Sequence, residues 1–152
     1  MLSPKADEVL NLHLEQTQVV KAPREQVFQA WTDYERWPTW SVLFPRVTAT
    51  ERAGNTVLLD LDTKFMGREA KRTEKHVLTP PERVEVEGEM EGMTNTSVWK
   101  FETVPEGTKL TVVIEAQLKG RWVKLLGPLA KRRLQGLVRE SMQGLARYVE
   151  AK

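Results

Sequence analysis

The chain has 152 residues, a net charge of +2 and 40% hydrophobic residues, which fits one globular domain able to bury about 70% of its unfolded surface. It has no cysteine and only two histidines, His13 and His76, so disulfides, thiolate metal sites and a histidine-rich zinc centre are excluded. A net charge of +2 is too weak to imply nucleic acid, and no nucleic-acid partner is expected.

The opening stretch MLSPKADEVLNL has neither a long apolar core nor a small-residue cleavage site, so no export signal is expected, and residues 1–10 read as a loose extension. No run approaches the ~20 apolar residues of a membrane span, and a cytoplasmic location is expected. Residues 12–20 carry Leu12, Leu14 and Val20 on one parity, the signature of a strand. Ala22-Pro23 stops it, because proline donates no ladder hydrogen bond and restricts its predecessor. Val27, Ala30, Trp31 and Tyr34 then recur at helical spacing, which predicts one or two short helices reaching Trp40.

From Arg46 the period becomes two. Strands are predicted over 46–52, over 56–65 with Val57, Leu59, Leu61 and Phe65 on one face, and over 68–78, which Thr79-Pro80-Pro81 closes. A fifth strand alternates Val84, Val86 and Met90 with glutamates. In the sixth, Asn95, Ser97, Trp99 and Phe101 share a face. The seventh runs through Leu110, Val112, Ile114, Ala116 and Leu118. Tight turns between successive strands predict an antiparallel sheet with one covered face. After Gly120 the spacing turns helical, with Leu126, Ala130, Leu134, Leu137, Val138, Ser141, Leu145 and Val149 on one stripe and Pro128 in the first turn. The expected fold is α+β: a seven-stranded curved antiparallel sheet around a long C-terminal helix, with the short helices between strands 1 and 2. One helix cannot fill the hollow of such a sheet, so space is expected between them.

Two readings of the tryptophan-rich stretch APREQVFQAWTDYERWPTW stay open: Trp31, Trp37 and Trp40 belong to the core, or they line a ligand space. The fourth strand is the other place where chemistry is legible. Glu69, Lys71, Thr73 and Lys75 form a solvent face, so the opposite parity sends Arg68, Arg72, Glu74 and His76 inward. Charges enter an apolar interior only if they pair with one another or meet a ligand. Both outcomes remain open, as does a strand at a wet sheet edge.

The string VVKAPREQVFQAWTDYERWPTW, followed by six alternating strands and a C-terminal amphipathic helix, resembles the START-like helix-grip superfamily, also called SRPBCC. The likeness covers residues 10–150, and the polyketide cyclase/dehydrase-like and coenzyme-Q-binding branches are the most similar. The resemblance implies a single START-like domain over 1–152 with a deep apolar tunnel for a lipid, quinone or polyketide. On that basis the ligand-binding set comprises Trp31, Trp40 and Phe44 from the short helices and their exit. Leu59, Leu61 and Phe65 follow from strand 3. Strand 4 adds Arg68, Arg72, Glu74 and His76, and strands 5 to 7 add Val86, Trp99, Phe101, Val112 and Ile114. Leu134 and Ser141 complete it from the long helix.

The cyclases of this superfamily carry an arginine at the start of the fourth strand, a position matched by Arg68. An enzyme of that type would use Arg68 as electrostatic stabiliser and Glu74 or His76 as acid/base. Those cyclases also tend to carry a tyrosine after the short helices; this sequence has Phe44 there, which removes a proton donor. Carriage of a hydrophobic molecule is the leading expectation, an aromatase/cyclase the alternative, and a protein-interaction module built on the glutamate-rich fifth strand the third. No cofactor or metal is expected, and the sequence does not choose between a monomer and a weak dimer. Between Lys119 and Arg139 lie seven cations and no acid, interleaved with Trp122, Leu125 and Leu126. Solvated surface is one reading of this segment. The other is a lid at the tunnel mouth that touches anionic membrane.

Overall fold

The structure, a computed structural model, describes residues 9–65, 68–120, 123 and 129–152; the side chains of Phe65, Arg68 and Ala130 fall outside that description. Strand β1 (Val9–Val20) leads into helix α1 (Arg24–Trp31), a 3-10 turn (Tyr34–Arg36) and helix α2 (Trp37–Trp40). Six strands follow: β2 (Arg46–Ala53), β3 (Thr56–Phe65), β4 (Arg68–Thr79), β5 (Arg83–Met90), β6 (Met93–Val104) and β7 (Gly107–Lys119). Helix α3 (Ala130–Glu150) ends the chain. The expected extension at 1–10 lies largely outside the described residues. Its last two residues belong to β1 instead, because Val9 and Leu10 pair with Lys119 and Leu118 on β7.

The seven strands form one antiparallel sheet in the order β1-β7-β6-β5-β4-β3-β2. Strands β2 to β7 are a meander of hairpins, while β1 pairs back onto β7. Two strands consecutive in sequence therefore occupy opposite edges, and the chain between them has to cross the end of the sheet. Residues 21–45 make that crossing, which is why this stretch carries so many large apolar rings. Phe28, Trp31, Tyr34 and Trp37 are all buried in the main core.

Alternation in the sequence translates directly into burial. In β5 every second residue is buried and the glutamates between are exposed. Helix α3 packs along β1 and against α1 and α2. Its deepest side chains are Val138, Ser141, Met142, Leu145, Ala146 and Val149, a spacing of three and four residues. Leu134 and Leu137 are only partly buried and pack on a second, smaller cluster built on Leu12, Ala116 and Leu118. Leu126 and Pro128, expected in the first turn of this helix, lie outside the described residues. No described helix is long and apolar enough to cross a membrane.

Candidate functional site

Strand β4 lies between β3 and β5, so its inward side chains have no edge to escape to. Arg72, Glu74 and His76 are 6%, 7% and 0% exposed, while Lys71, Thr73 and Lys75 on the other parity are exposed. The three buried groups satisfy one another. Arg72 Nε donates to Glu74 Oε2 at 2.7 Å, and the other carboxylate oxygen meets His76 Nε2 at 2.8 Å. Arg72 also reaches across β5 to hydrogen-bond Asn95 on β6.

Gly88 makes that reach possible. It pairs with Glu74 on one side and Asn95 on the other. A Cβ at Gly88 would lie 2.7 Å from both Arg72 Cζ and Asn95 Oδ1, and closer still to the guanidinium nitrogen. The glycine is thus the floor on which the guanidinium rests. Burial alone would raise the Glu74 carboxyl, but the hydrogen bond with His76 and the charge of Arg72 outweigh it and hold the group below its ordinary range.

Aromatic rings surround the histidine. The His76 ring centroid lies 5.1 Å from Tyr34, 5.4 Å from Trp31 and 5.6 Å from Trp37. Trp31 in turn lies 5.1 Å from both Trp37 and Trp99. Trp37 Nε1 donates to the carbonyl of Trp31 at 2.6 Å, which ties α2 to the end of α1. Burial pushes the Tyr34 phenol well above its ordinary value, opposed by the charge of Arg52, so it stays protonated.

Between the sheet and α3 a cavity of about 140 Å³ remains, with a largely apolar wall. Trp31, Trp37, Trp40 and Phe44 close it on one side. Arg72, Glu74, His76 and Asn95 contribute its polar patch, and α3 supplies Leu134, Val138 and Ser141. The plug of short helices is fastened to α3 by backbone contact. Gly144 lies directly under the Trp40 carbonyl, so closely that any Cβ would collide with it. Ser141 Oγ hydrogen-bonds Ser41 Oγ at 3.2 Å and receives Val42 N–H at 3.3 Å. Four cavity-lining side chains hold a buried polar atom with no protein partner: Trp31 Nε1, Trp40 Nε1, Thr63 Oγ1 and His76 Nδ1.

Of the residues selected from sequence, the cavity gathers Trp31, Trp40, Phe44, Arg72, Glu74, His76, Val86, Trp99, Ile114, Leu134 and Ser141. Leu59, Leu61, Phe101 and Val112 are buried in the main core and are not among the residues that line the space. Phe65 and Arg68 face each other where β3 and β4 end and begin, their side chains undescribed. Trp122, Leu125 and Leu126 lie outside the described residues. Sequence reasoning passed over Thr63, Met90, Met93 and Leu43 as lining residues. Thr63 had a readable signal, since it interrupts the apolar parity of β3 with a hydroxyl.

The family profile described as polyketide cyclase / dehydrase and lipid transport matches residues 11–150. The chain belongs to this family. No curated protein sequence matches it. Among solved structures, one from Thermus thermophilus has 20% sequence identity and a TM-score of 0.80, covering 93% of this chain and 98% of its own. The Zhui aromatase/cyclase from a Streptomyces species has 13% identity and a TM-score of 0.80, covering 93% and 94%. A START superfamily protein from Mycobacterium smegmatis has 18% identity and a TM-score of 0.78, covering 91% and 97%. These likenesses establish the START-like helix-grip fold.

Proposed function

We propose that this family member binds and carries a hydrophobic or amphipathic small molecule in the cavity between sheet and long helix. One observation supports this above the others: the interior is not filled, and its apolar wall carries a buried polar cluster in which Glu74 bridges Arg72 and His76 while His76 Nδ1 stays without a partner. A chain selected for stability alone gains nothing from burying Arg72 and Glu74, because apolar residues of similar volume serve as well or better. An orienting role for a guest's polar end accounts for keeping them.

Native mass spectrometry of protein purified from its own cells tests the reading. A reproducible bound mass is expected, and it should vanish in Ala116→Phe, which fills the cavity from β7 where Ala116 lines it. Empty protein, or a mass retained by the filled variant, refutes it.

An aromatase/cyclase activity is the second reading, and the Glu74–His76 contact favours it. A carboxylate held ionised at Nε2 fixes the tautomer and leaves Nδ1, which has no partner, as the basic nitrogen. Arg68 would then stabilise enolate charge. With a poly-β-ketone substrate, His76→Gln and Arg68→Ala should each lose turnover while keeping ligand binding; unchanged turnover in both defeats this reading.

A further inference from the structure

The size and charge of the cavity specify the guest more narrowly, and this inference rests on the carrier reading above. A space of about 140 Å³ is close to an engineered apolar cavity of about 150 Å³ that accepts benzene. That is room for one ring or two fused rings, and too little for an extended acyl or isoprenoid chain. The tryptophan side of the wall is closely packed. Trp31 is wedged against Trp37 and Trp99, each 5.1 Å away centroid to centroid, and Gly144 meets the Trp40 backbone with no gap.

Charge narrows the class again. Arg72 is the one arginine or lysine among the described lining residues, and its guanidinium is already committed to Glu74 and Asn95. A carboxylate guest would set a second buried anion beside Glu74 with a single cation to serve both, which is strongly unfavourable. Hydrogen bonding points the same way. The indole N–H groups of Trp31 and Trp40 can only donate, and neither has an acceptor. An acceptor oxygen on the guest supplies what they lack, and the cost of a second buried anion makes that oxygen an uncharged one.

We propose that the cavity takes a compact, uncharged aromatic or bicyclic molecule bearing a hydroxyl or carbonyl oxygen, and discriminates against fatty acids, ring carboxylates and long-tailed quinones.

The test uses the full chain at pH 7 with four probes: 2-naphthol, 2-naphthoate, palmitate and a decyl-tailed benzoquinone. Binding is read by quenching of the intrinsic tryptophans and by calorimetry. The expected result is saturable binding of 2-naphthol, at least about tenfold tighter than each other probe, a factor equivalent to 1.4 kcal/mol. Ala116→Phe should abolish it while leaving the circular dichroism spectrum intact. Equal or tighter binding of 2-naphthoate, palmitate or the tailed quinone overturns this inference and leaves the carrier reading standing. So does 2-naphthol binding that survives Ala116→Phe, which places the probe elsewhere. If no probe binds and native protein carries no ligand, both fall.

Discussion

Replacing Arg72 by methionine leaves the Glu74 carboxylate, 7% exposed, with only one of its two hydrogen-bonded partners. Replacing Glu74 by leucine strands the guanidinium instead and removes the acceptor from His76. Breaking a buried ion pair from one side costs about 3–5 kcal/mol. In a domain of this size each kcal/mol moves Tm by about 2–4 °C, so either single variant should melt about 6–20 °C lower. The double variant, Arg72→Met with Glu74→Leu, leaves no unpaired buried charge. Its remaining cost is the unsatisfied His76 nitrogen, about 1–3 kcal/mol, together with the Asn95 oxygen that Arg72→Met by itself also leaves without its donor. The double variant should therefore be more stable than either single, with a coupling energy of about 3 kcal/mol or more in the double-mutant cycle. Urea unfolding at pH 7, followed by tryptophan fluorescence, measures all four corners. Single variants that each lose under about 1 kcal/mol, or losses that simply add, would show that the pair is not the desolvated unit described above.

Gly88→Ala should destabilise by about 1–3 kcal/mol because its methyl displaces the Arg72 guanidinium from Glu74, although alanine in a strand ordinarily gains about 0.5–1 kcal/mol over glycine. Denaturant midpoints decide the sign. In α3, Gly136→Ala should stabilise by up to about 1 kcal/mol, since its nearest neighbour is an Arg139 side-chain nitrogen at 3.8 Å; Gly144→Ala should destabilise because its methyl meets the Trp40 backbone. Thermal melts of the two variants should move in opposite directions. The Glu74 carboxyl is depressed in the folded state, so its contribution to stability is present above the ordinary glutamate range and is lost as pH falls through the folded value. Asp62 is depressed too, by its hydrogen bond to Lys71 above all, with the charges of Arg46 and Lys71 adding to it and desolvation opposing. The readout is therefore the difference between the unaltered protein and the Arg72→Met/Glu74→Leu double variant, which should shrink as the solution is acidified below pH 4.5.

The strand and helix sequence was legible because burial here follows the pleat and the helical turn so closely. Arg72, Glu74 and His76 announced themselves as charged residues on the parity opposite Glu69, Lys71 and Lys75, and that parity is buried. What periodicity does not carry is distance across the interior. It assigns Leu59, Leu61, Phe101 and Val112 to the covered face, but only the packing of α1 and α2 decides that they meet core rather than void. Gly88 was silent for a related reason. A glycine between Val86 and Met90 reads as a weak spot in a strand, and nothing local reveals that an arginine from the neighbouring strand lies over it. Gly144 was more readable. A glycine on a buried helix implies close approach, and the approaching group is the Trp40 carbonyl. Ser141, which the sequence places on the helix stripe and the resemblance places in the ligand-binding set, fastens Ser41 and Val42 to the helix. Trp31, Trp37 and Trp40 pack with the core at the sheet end and also line the cavity.

A crystal structure of the protein soaked with 2-naphthol tests the central claim most directly. The account predicts ring density between the sheet and α3, with its oxygen in hydrogen-bond reach of an indole N–H or His76 Nδ1 and the Arg72–Glu74 contact unbroken. Density only on the surface, with side chains or ordered water closing the interior, would contradict it.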